Sequence, residues 1–256
     1  MRRAWLHLFL ASALSALTAS AAEPFRVISN IFSVGASDST VFVIATPKGL
    51  VLLNTGADGE EKRIRANIKK LGLDLFDVKI ILISQADPAH VGNLTAFRRE
   101  TGARLMVSEA DAPLLPLPQE KFPTKLIDQT IADNDHVTIG GLTFTAHLTP
   151  GATRGCTTWT TTVRWSLKPF DVVFACDPTI PMGTKLDDKA RDEYRHTYEV
   201  LRAIQPDVFL ASRGTFFNLD GKFAKRAEKA PNPFIDRDGW KKFVDDMEAR
   251  FTASQK

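Results

Sequence analysis

Three side chains at close spacing raise the question of chemistry: Gln85, Asp87 and His90, in Ser84-Gln85-Ala86-Asp87-Pro88-Ala89-His90. A carboxylate and an imidazole, with an amide as a weaker neutral oxygen donor, can contribute to an oxygen-rich shell around one divalent ion. These residues follow Lys79-Ile80-Ile81-Leu82-Ile83, a β-branched and apolar run with the pattern of a strand buried on both faces. Gly92 then leads into a helical pattern from Leu94 to Arg99. Polar side chains delivered at the C-terminal end of such a strand mark the place where an α/β sheet builds its ligand site.

The elements that must position this stretch are legible on either side of it. Phe25 to Val34 and Thr40 to Ala45 read as strands, and Pro47-Lys48-Gly49 turns into a third, Leu50 to Leu53. Glu60 to Leu71 reads as a helix with Ile64, Ile68 and Leu71 on one face, stopped by Gly72. A helix from Asn93 to Thr101, a strand from Arg104 to Ser108, a short helix from Glu109 to Leu115 and a proline-rich loop from Pro116 to Lys125 follow. A second meander is expected over Lys125 to Ile131, His136 to Ile139 and Thr143 to Leu148. Thr157 to Trp165 and Asp171 to Ala175 read as a hairpin. Helices over Asp187 to Ile204, Gly221 to Lys229 and Gly239 to Thr252 surround a last strand, Val208 to Ala211. The order is β-rich, α/β, β-rich, α/β, which suits two facing sheets with helices outside, an αββα sandwich of class α/β.

Composition allows that fold and narrows the partners. The 256 residues, 44% hydrophobic and 25% charged, supply core enough for one domain. A net charge of +3 is too small to suggest a nucleic-acid partner, no basic run supports one, and none is expected. At the N-terminus, Arg2 and Arg3 precede an apolar run from Ala4 to Leu17 and the small residues Ala19-Ser20-Ala21, the grammar of a secretory signal over residues 1–22. That run falls short of the roughly 20 residues a membrane span needs. The expectation is an exported monomer of one domain, residues 23–256, without a span once the signal is removed, and periplasmic in a Gram-negative source. Cys156 and Cys176 are then candidates for one disulfide, worth about 3 kcal/mol. Simple hairpin pairing does not set them opposite each other, so geometry decides.

Several blocks resemble the metallo-β-lactamase superfamily, class B3 in particular. They include Leu52-Leu-Asn54-Thr-Gly56, Asp77 through Ser84, His147-Leu-Thr-Pro-Gly151, Gly155-Cys-Thr-Thr-Trp159 and Asp207 through Ser212. The matching blocks keep the family's order along nearly the whole mature chain. The resemblance implies the same αββα fold and, in the family, two zinc ions held by a His-x-His-x-Asp-His turn. This chain departs from that pattern. Gln85, Asp87 and Ala89 stand where the family has His, His and Asp, and only His90 keeps its type. Ala152 replaces a His in the following turn, Arg213 replaces the last His, and Asn54 replaces a usual Asp. Asp177 falls where other branches of the superfamily carry a metal-bridging Asp.

Two functions follow from the resemblance and its departures. In the first, Arg213 supplies the missing positive charge, paired with Asp177 or Asp87, and the pocket binds a small ligand, expected to be anionic, without catalysis or with weak catalysis only. In the second, Asp87, His90 and Asp177, with Gln85, hold one zinc, manganese or iron ion for hydrolysis of a β-lactam, lactone or ester. The first is preferred, because a guanidinium and a metal compete for the same carboxylates. Arg154, Thr179 and Lys185 are further pocket candidates, Arg154 beside the Ala152 turn and the other two on the loop that lines the family's substrate pocket. A Cys–His nucleophile pair has no local signature here. His147 is expected in the core or supporting a ligand from behind, His136 exposed in a turn, His196 on a helix surface, and Trp159 in packing.

Overall fold

The computed structural model describes residues 23–115, 127–226 and 231–255. The signal segment and the Pro116–Lys125 loop lie outside the described residues. Among the described residues the strands form two sheets. The first runs in chain order: β1 (Phe25–Ile28), β2 (Ile31–Ser33), β3 (Phe42–Thr46), β4 (Gly49–Leu53), β5 (Val78–Leu82), β6 (Arg104–Ser108) and β7 (Gln129–Ile131). β1 to β4 pair antiparallel, and β4 to β7 pair parallel. The second sheet has the order β12 (Val208–Ala211), β11 (Lys168–Ala175), β10 (Thr157–Trp165), β9 (Leu142–Leu148) and β8 (His136–Ile139), parallel only between β11 and β12.

β5 shows why its sequence is apolar on both faces. Ile80 and Leu82 enter the core between the sheets, with Phe42, Phe144, Trp159 and Phe174. Ile81 between them enters a second core, with Ile64 and Ile68 of α1 (Glu61–Lys70) and Leu94 and Phe97 of α3 (Leu94–Thr101). The period of two therefore serves two cores rather than one core and solvent. On the second sheet, α6 (Arg237–Ser254) packs on β12 and against α4 (Asp188–Ala203); Trp240 of α6 meets Phe209 edge-on and Phe243 meets it tilted, at ring-centroid distances of 5.2 and 5.0 Å. A further helix, α5 (Leu219–Lys225), follows β12, and no helix of the described residues is long and apolar enough to cross a membrane.

Four expectations are corrected. Phe25 to Val34 is not one strand but the β1–β2 hairpin. Ser29, at φ 50°, and Asn30 form its turn, Asn30 Nδ2 donating to the Ala45 carbonyl. Serine and asparagine are turn formers, and here they outweigh the apolar run. β7 leaves the second meander to pair parallel with β6 in the first sheet, pinned by Asp128 Oδ2, which accepts from the Leu105 amide. The Glu109–Leu115 helix shrinks to a 3-10 turn, Ala112–Leu114. The expected turn after Ser84 contains a short helix, α2 (Pro88–Val91), with Pro88 in its first turn and Asp87 capping the Ala89 amide.

Cys156 and Cys176 are bridged, with Cα atoms 5.8 Å apart. The β10–β11 ladder ends at Trp159 opposite Phe174. The cysteines lie beyond it, where the hairpin register no longer fixes their separation.

Candidate functional site

Three strands end together: β5 delivers Gln85 and Asp87, β11 delivers Asp177, and β12 delivers Arg213. Asp177 is buried. Its Oδ2 accepts from Arg213 Nε at 2.8 Å, and its Oδ1 from the Thr179 amide at 3.0 Å and the Thr179 hydroxyl at 2.6 Å. Asp87 Oδ1 accepts from the Ala89 amide at 3.0 Å and faces His90 Nδ1 at 2.5 Å, while Oδ2 accepts from Gln85 Nε2 at 2.6 Å. Arg213 Nη2 lies 3.9 Å from the same Oδ2. Gln85 Oε1 accepts from the Asp177 amide at 3.1 Å, which closes the web.

His90 is fully buried, and both its ring nitrogens face acceptors: Asp87 on one side and, at 2.9 Å, the Ser212 carbonyl on the other. Neither nitrogen turns a lone pair toward open space. Burial alone would raise the Asp87 pKa. The His90 contact, the Gln85 hydrogen bond and the Arg213 charge outweigh it and hold the carboxyl below its ordinary value. Among the described residues, no group of three or more His, Cys, Asp or Glu is placed to hold a metal ion.

Of the pieces beneath the web, Asn54 and the turn glycines stand in blocks marked by the resemblance, whereas Asp111 has no mark in the sequence. Asp111 is buried; its Oδ2 accepts from the Ala86 amide and the Thr153 hydroxyl, both at 2.7 Å, and its Oδ1 from the Gly155 amide at 2.8 Å. One carboxylate thus joins the Gln85–His90 segment to the Thr149–Cys156 turn. The turn is close-packed at its glycines. A Cβ on Gly155 would sit 2.0 Å from Ser108 Oγ, and one on Gly151 would sit 2.0 Å from the Asp177 carbonyl. Asn54, with φ 63°, accepts from the Ser84 amide at 2.9 Å and the Ser84 hydroxyl at 3.0 Å, fixing the start of the segment. An isolated acidic residue in Ser108-Glu-Ala-Asp111 carries no periodic or spacing signal, so only the fold reveals Asp111.

The pattern described as the metallo-beta-lactamase superfamily matches residues 34–212. The chain belongs to that superfamily. Among solved members, BJP-1, a subclass B3 metallo-beta-lactamase of Bradyrhizobium japonicum, is 32% identical, covering 95% of this chain and 100% of its own, with a TM-score of 0.82. The native FEZ-1 metallo-beta-lactamase from Legionella gormanii is also 32% identical, covering 91% of this chain and 95% of its own, at 0.83. A class B3 di-zinc metallo-beta-lactamase, LRA-12, from an Alaskan soil metagenome is 25% identical, covering 90% and 93%, at 0.82.

Within the superfamily fold, the residues singled out from sequence separate into two groups. Gln85, Asp87, His90, Asp177, Thr179 and Arg213 share the web. Ala89 contributes a backbone amide to it, and Ala152 donates its amide to the Asp177 carbonyl at 2.8 Å. Arg154 and Lys185 instead line a groove of about 460 Å³ with Ala152, Lys189 and Tyr194. Arg154 does not reach the carboxylates; it points outward and pairs with Glu193 at 3.0 Å. Lys185 is exposed, and neither it nor Lys189 has an ion-pair partner among the described residues. His147 is neither in the core nor behind the site. It lies on the outer face of the second sheet, with Nε2 2.9 Å from Thr160 Oγ1. His136 begins β8 and is exposed, His196 faces Glu199 on the exposed side of α4, and Trp159 is fully buried in packing.

Proposed function

We propose that this chain is an exported, monomeric, non-catalytic member of the superfamily, in which protein cations stand in the place of the metal ions. The observation that carries the reading is the Arg213 guanidinium, 2.8 Å from Asp177 and 3.9 Å from Asp87. Zinc hydrolysis requires imidazole and carboxylate donors free to coordinate, and an open position where bound water becomes a nucleophile. Here His90 has both nitrogens engaged, both Asp177 oxygens already accept from Arg213 or Thr179, and Ala89 and Ala152 offer no side-chain donor. These residues do not fit a pair of zinc ions, and no catalytic step is assigned through one. A buried carboxylate left without a cation would be costly, and the arginine removes that cost without a metal.

The groove beside the web is the ligand site in this reading. Its lining holds Arg154, Lys185 and Lys189 against Asp187 and Glu193; Glu193 is taken by Arg154 and Asp187 by the Ala190 amide, so the two lysines favour a small molecule with an anionic group. Export rests on the signal grammar of residues 1–22.

Elemental analysis of protein purified without chelator tests the central point, together with turnover of a chromogenic cephalosporin and a lactone panel before and after adding Zn²⁺, Mn²⁺ or Fe²⁺. The expected result is substoichiometric metal and no turnover under any condition. A stoichiometric metal with metal-dependent turnover overturns the reading in favour of a single-metal hydrolase on Asp87, His90 and Asp177.

A further inference from the structure

The second sheet is covered unevenly. On its outer face, Val173 of β11 and Phe209 of β12 are buried in the core with α4 and α6. The half made by β8, β9 and β10 is not apolar: it presents His136, Thr138, Thr143, Thr145, His147, Thr160 and Thr162, all partly or fully exposed. Where the two halves meet, a groove of about 700 Å³ runs along the sheet, within the range of about 300–1,000 Å³ typical of small-molecule sites. Its floor is the hydroxyls and the His147 imidazole. One wall is apolar, Val200 and Ala203 from the end of α4 with Ile204 just after it, and the two carboxylates on its lining are Asp133 and Asp171.

The floor is ordered by hydrogen bonds across the strands. His147 Nε2 pairs with Thr160 at 2.9 Å, His136 Nδ1 with Thr145 at 3.0 Å, and Thr162 donates to Asp171 at 2.7 Å. A hydroxyl has one hydrogen and two lone pairs, so each threonine retains capacity for a further partner. His147 Nδ1 has no partner among the described residues. Burial pushes the His147 imidazole below its ordinary value, with Asp133 opposing and His136 adding, so the ring stays a neutral group able to accept as well as donate.

The chemistry of the lining selects among ligands. It contains no lysine or arginine, and its two carboxylates disfavour an anion. A wholly apolar ligand would strip water from the hydroxyl floor without replacing it. A ligand with hydroxyls on its edges and a C–H face matches both the polar floor and the apolar α4 wall. We propose that this groove is a binding site for a short neutral oligosaccharide, separate from the Arg213 web and independent of how that web functions.

The test is titration of the full-length mature protein with chitotetraose and maltotetraose, followed by ¹H–¹⁵N NMR, with a linear diamine and a dicarboxylate as controls. At millimolar ligand, one of the tetrasaccharides is expected to shift the amides of Thr145, His147, Thr160 and Thr162 in a saturable way and to leave Lys185 and Lys189 unmoved. The near-isosteric Thr160→Val and the polar His147→Gln, checked for unchanged thermal melting, are each expected to weaken binding about tenfold, the effect of one or two lost hydrogen bonds. Should Thr160→Val melt early, Thr162→Val replaces it, and the wild-type shift map stands without any variant. The site assignment is overturned by the absence of saturable shifts with both saccharides, which would make the face an ordinary solvated sheet. It is overturned equally by binding of the diamine alone, by shifts confined to the Lys185 groove, or by undiminished affinity in well-folded variants.

Discussion

Two ion pairs in this molecule are built as mirror images. At the strand ends the carboxylate is the buried partner: the Asp177 side chain is 4% exposed and its Arg213 36%. Behind β12 the cation is buried instead. The Lys222 side chain is 9% exposed, its Nζ lies 2.7 Å from the 30%-exposed Asp236, and it sits within 5.6 to 6.0 Å of the ring centres of Phe209, Phe217 and Phe234. Lys222 joins elements close in sequence, α5 and the start of α6, where Asp236 also caps the Gly239 amide at 2.8 Å. Arg213 joins the ends of β5, β11 and β12, whose carboxylates are far apart in the chain and meet only in the folded sheets. The first arrangement closes a core around one lysine. The second gathers acids from beyond the ends of strands in both sheets around one arginine.

The cross-link gives the largest expected difference between the regions. Cys176 precedes Asp177, and Cys156 ends the turn that holds Ala152, immediately before β10. Replacing both, Cys156→Ser with Cys176→Ser, is expected to lower unfolding free energy by about 3 kcal/mol in urea. Hydrogen exchange is expected to speed up around residues 149–157 and 176–179 and to stay unchanged around Lys222. Equal loosening at both pairs would show that the bridge does not act on the site in particular.

Arg213→Ala comes next. It leaves Asp177 buried without its cation, for which fully buried pairs lose about 3–5 kcal/mol; the partial exposure of Arg213 reduces the expectation to about 2 kcal/mol. Adding Asp177→Asn is expected to recover part of that loss, since no uncompensated charge then remains. Chemical denaturation of the double-mutant cycle measures the coupling, and strictly additive losses would contradict a paired carboxylate. At the mirror-image pair, Asp236→Asn is expected to cost about 1–2 kcal/mol, from the stranded lysine and the weakened cap. Lys222→Met, which removes the buried charge and keeps an apolar stem among the rings, is expected to stay within about 1 kcal/mol of wild type.

How far the sequence reaches can be judged on the same two regions. The strand into Gln85 was legible because apolar residues on both faces have one simple explanation, and the αββα layering followed from the order of such runs. The meeting of Arg213 with Asp177 was legible only because family resemblance placed both residues at one site; nothing in their 36-residue separation predicts it. Asp111 was invisible, since a buried acid satisfied by backbone amides leaves no trace in periodicity. Lys222 was equally hidden: its helix was legible, but its aromatic surroundings come from β12 and from segments on either side of α5. The misplaced β7 and the single strand drawn through Ser29-Asn30 share a cause. Apolar runs announce strands but not their partners, and two polar residues suffice to fold one back.

Acid and alkali provide the finest test of the comparison. Asp87 and Asp236 both titrate below the ordinary 3.8. In each, burial acts upward and is outweighed, by His90, Gln85 and Arg213 in one and by Lys222 and the Gly239 amide in the other. A folded pKa below the unfolded one means the unfolded chain binds more protons between them. The stabilisation is therefore complete above the ordinary value and disappears as pH falls through the lowered one, so Asp87→Asn and Asp236→Asn are each expected to flatten the acid limb. The alkaline side separates the regions. Burial lowers the Lys222 pKa below the ordinary 10.5, with Asp236 opposing. Between the lowered and ordinary values the folded lysine is neutral while the unfolded one is still charged, so stability from this group rises with pH. Urea midpoints of wild type and Lys222→Met, measured from neutral to alkaline pH, are expected to separate in favour of wild type as that window is crossed. Parallel curves would place Lys222 in water, and the mirror image would then fail at its buried cation.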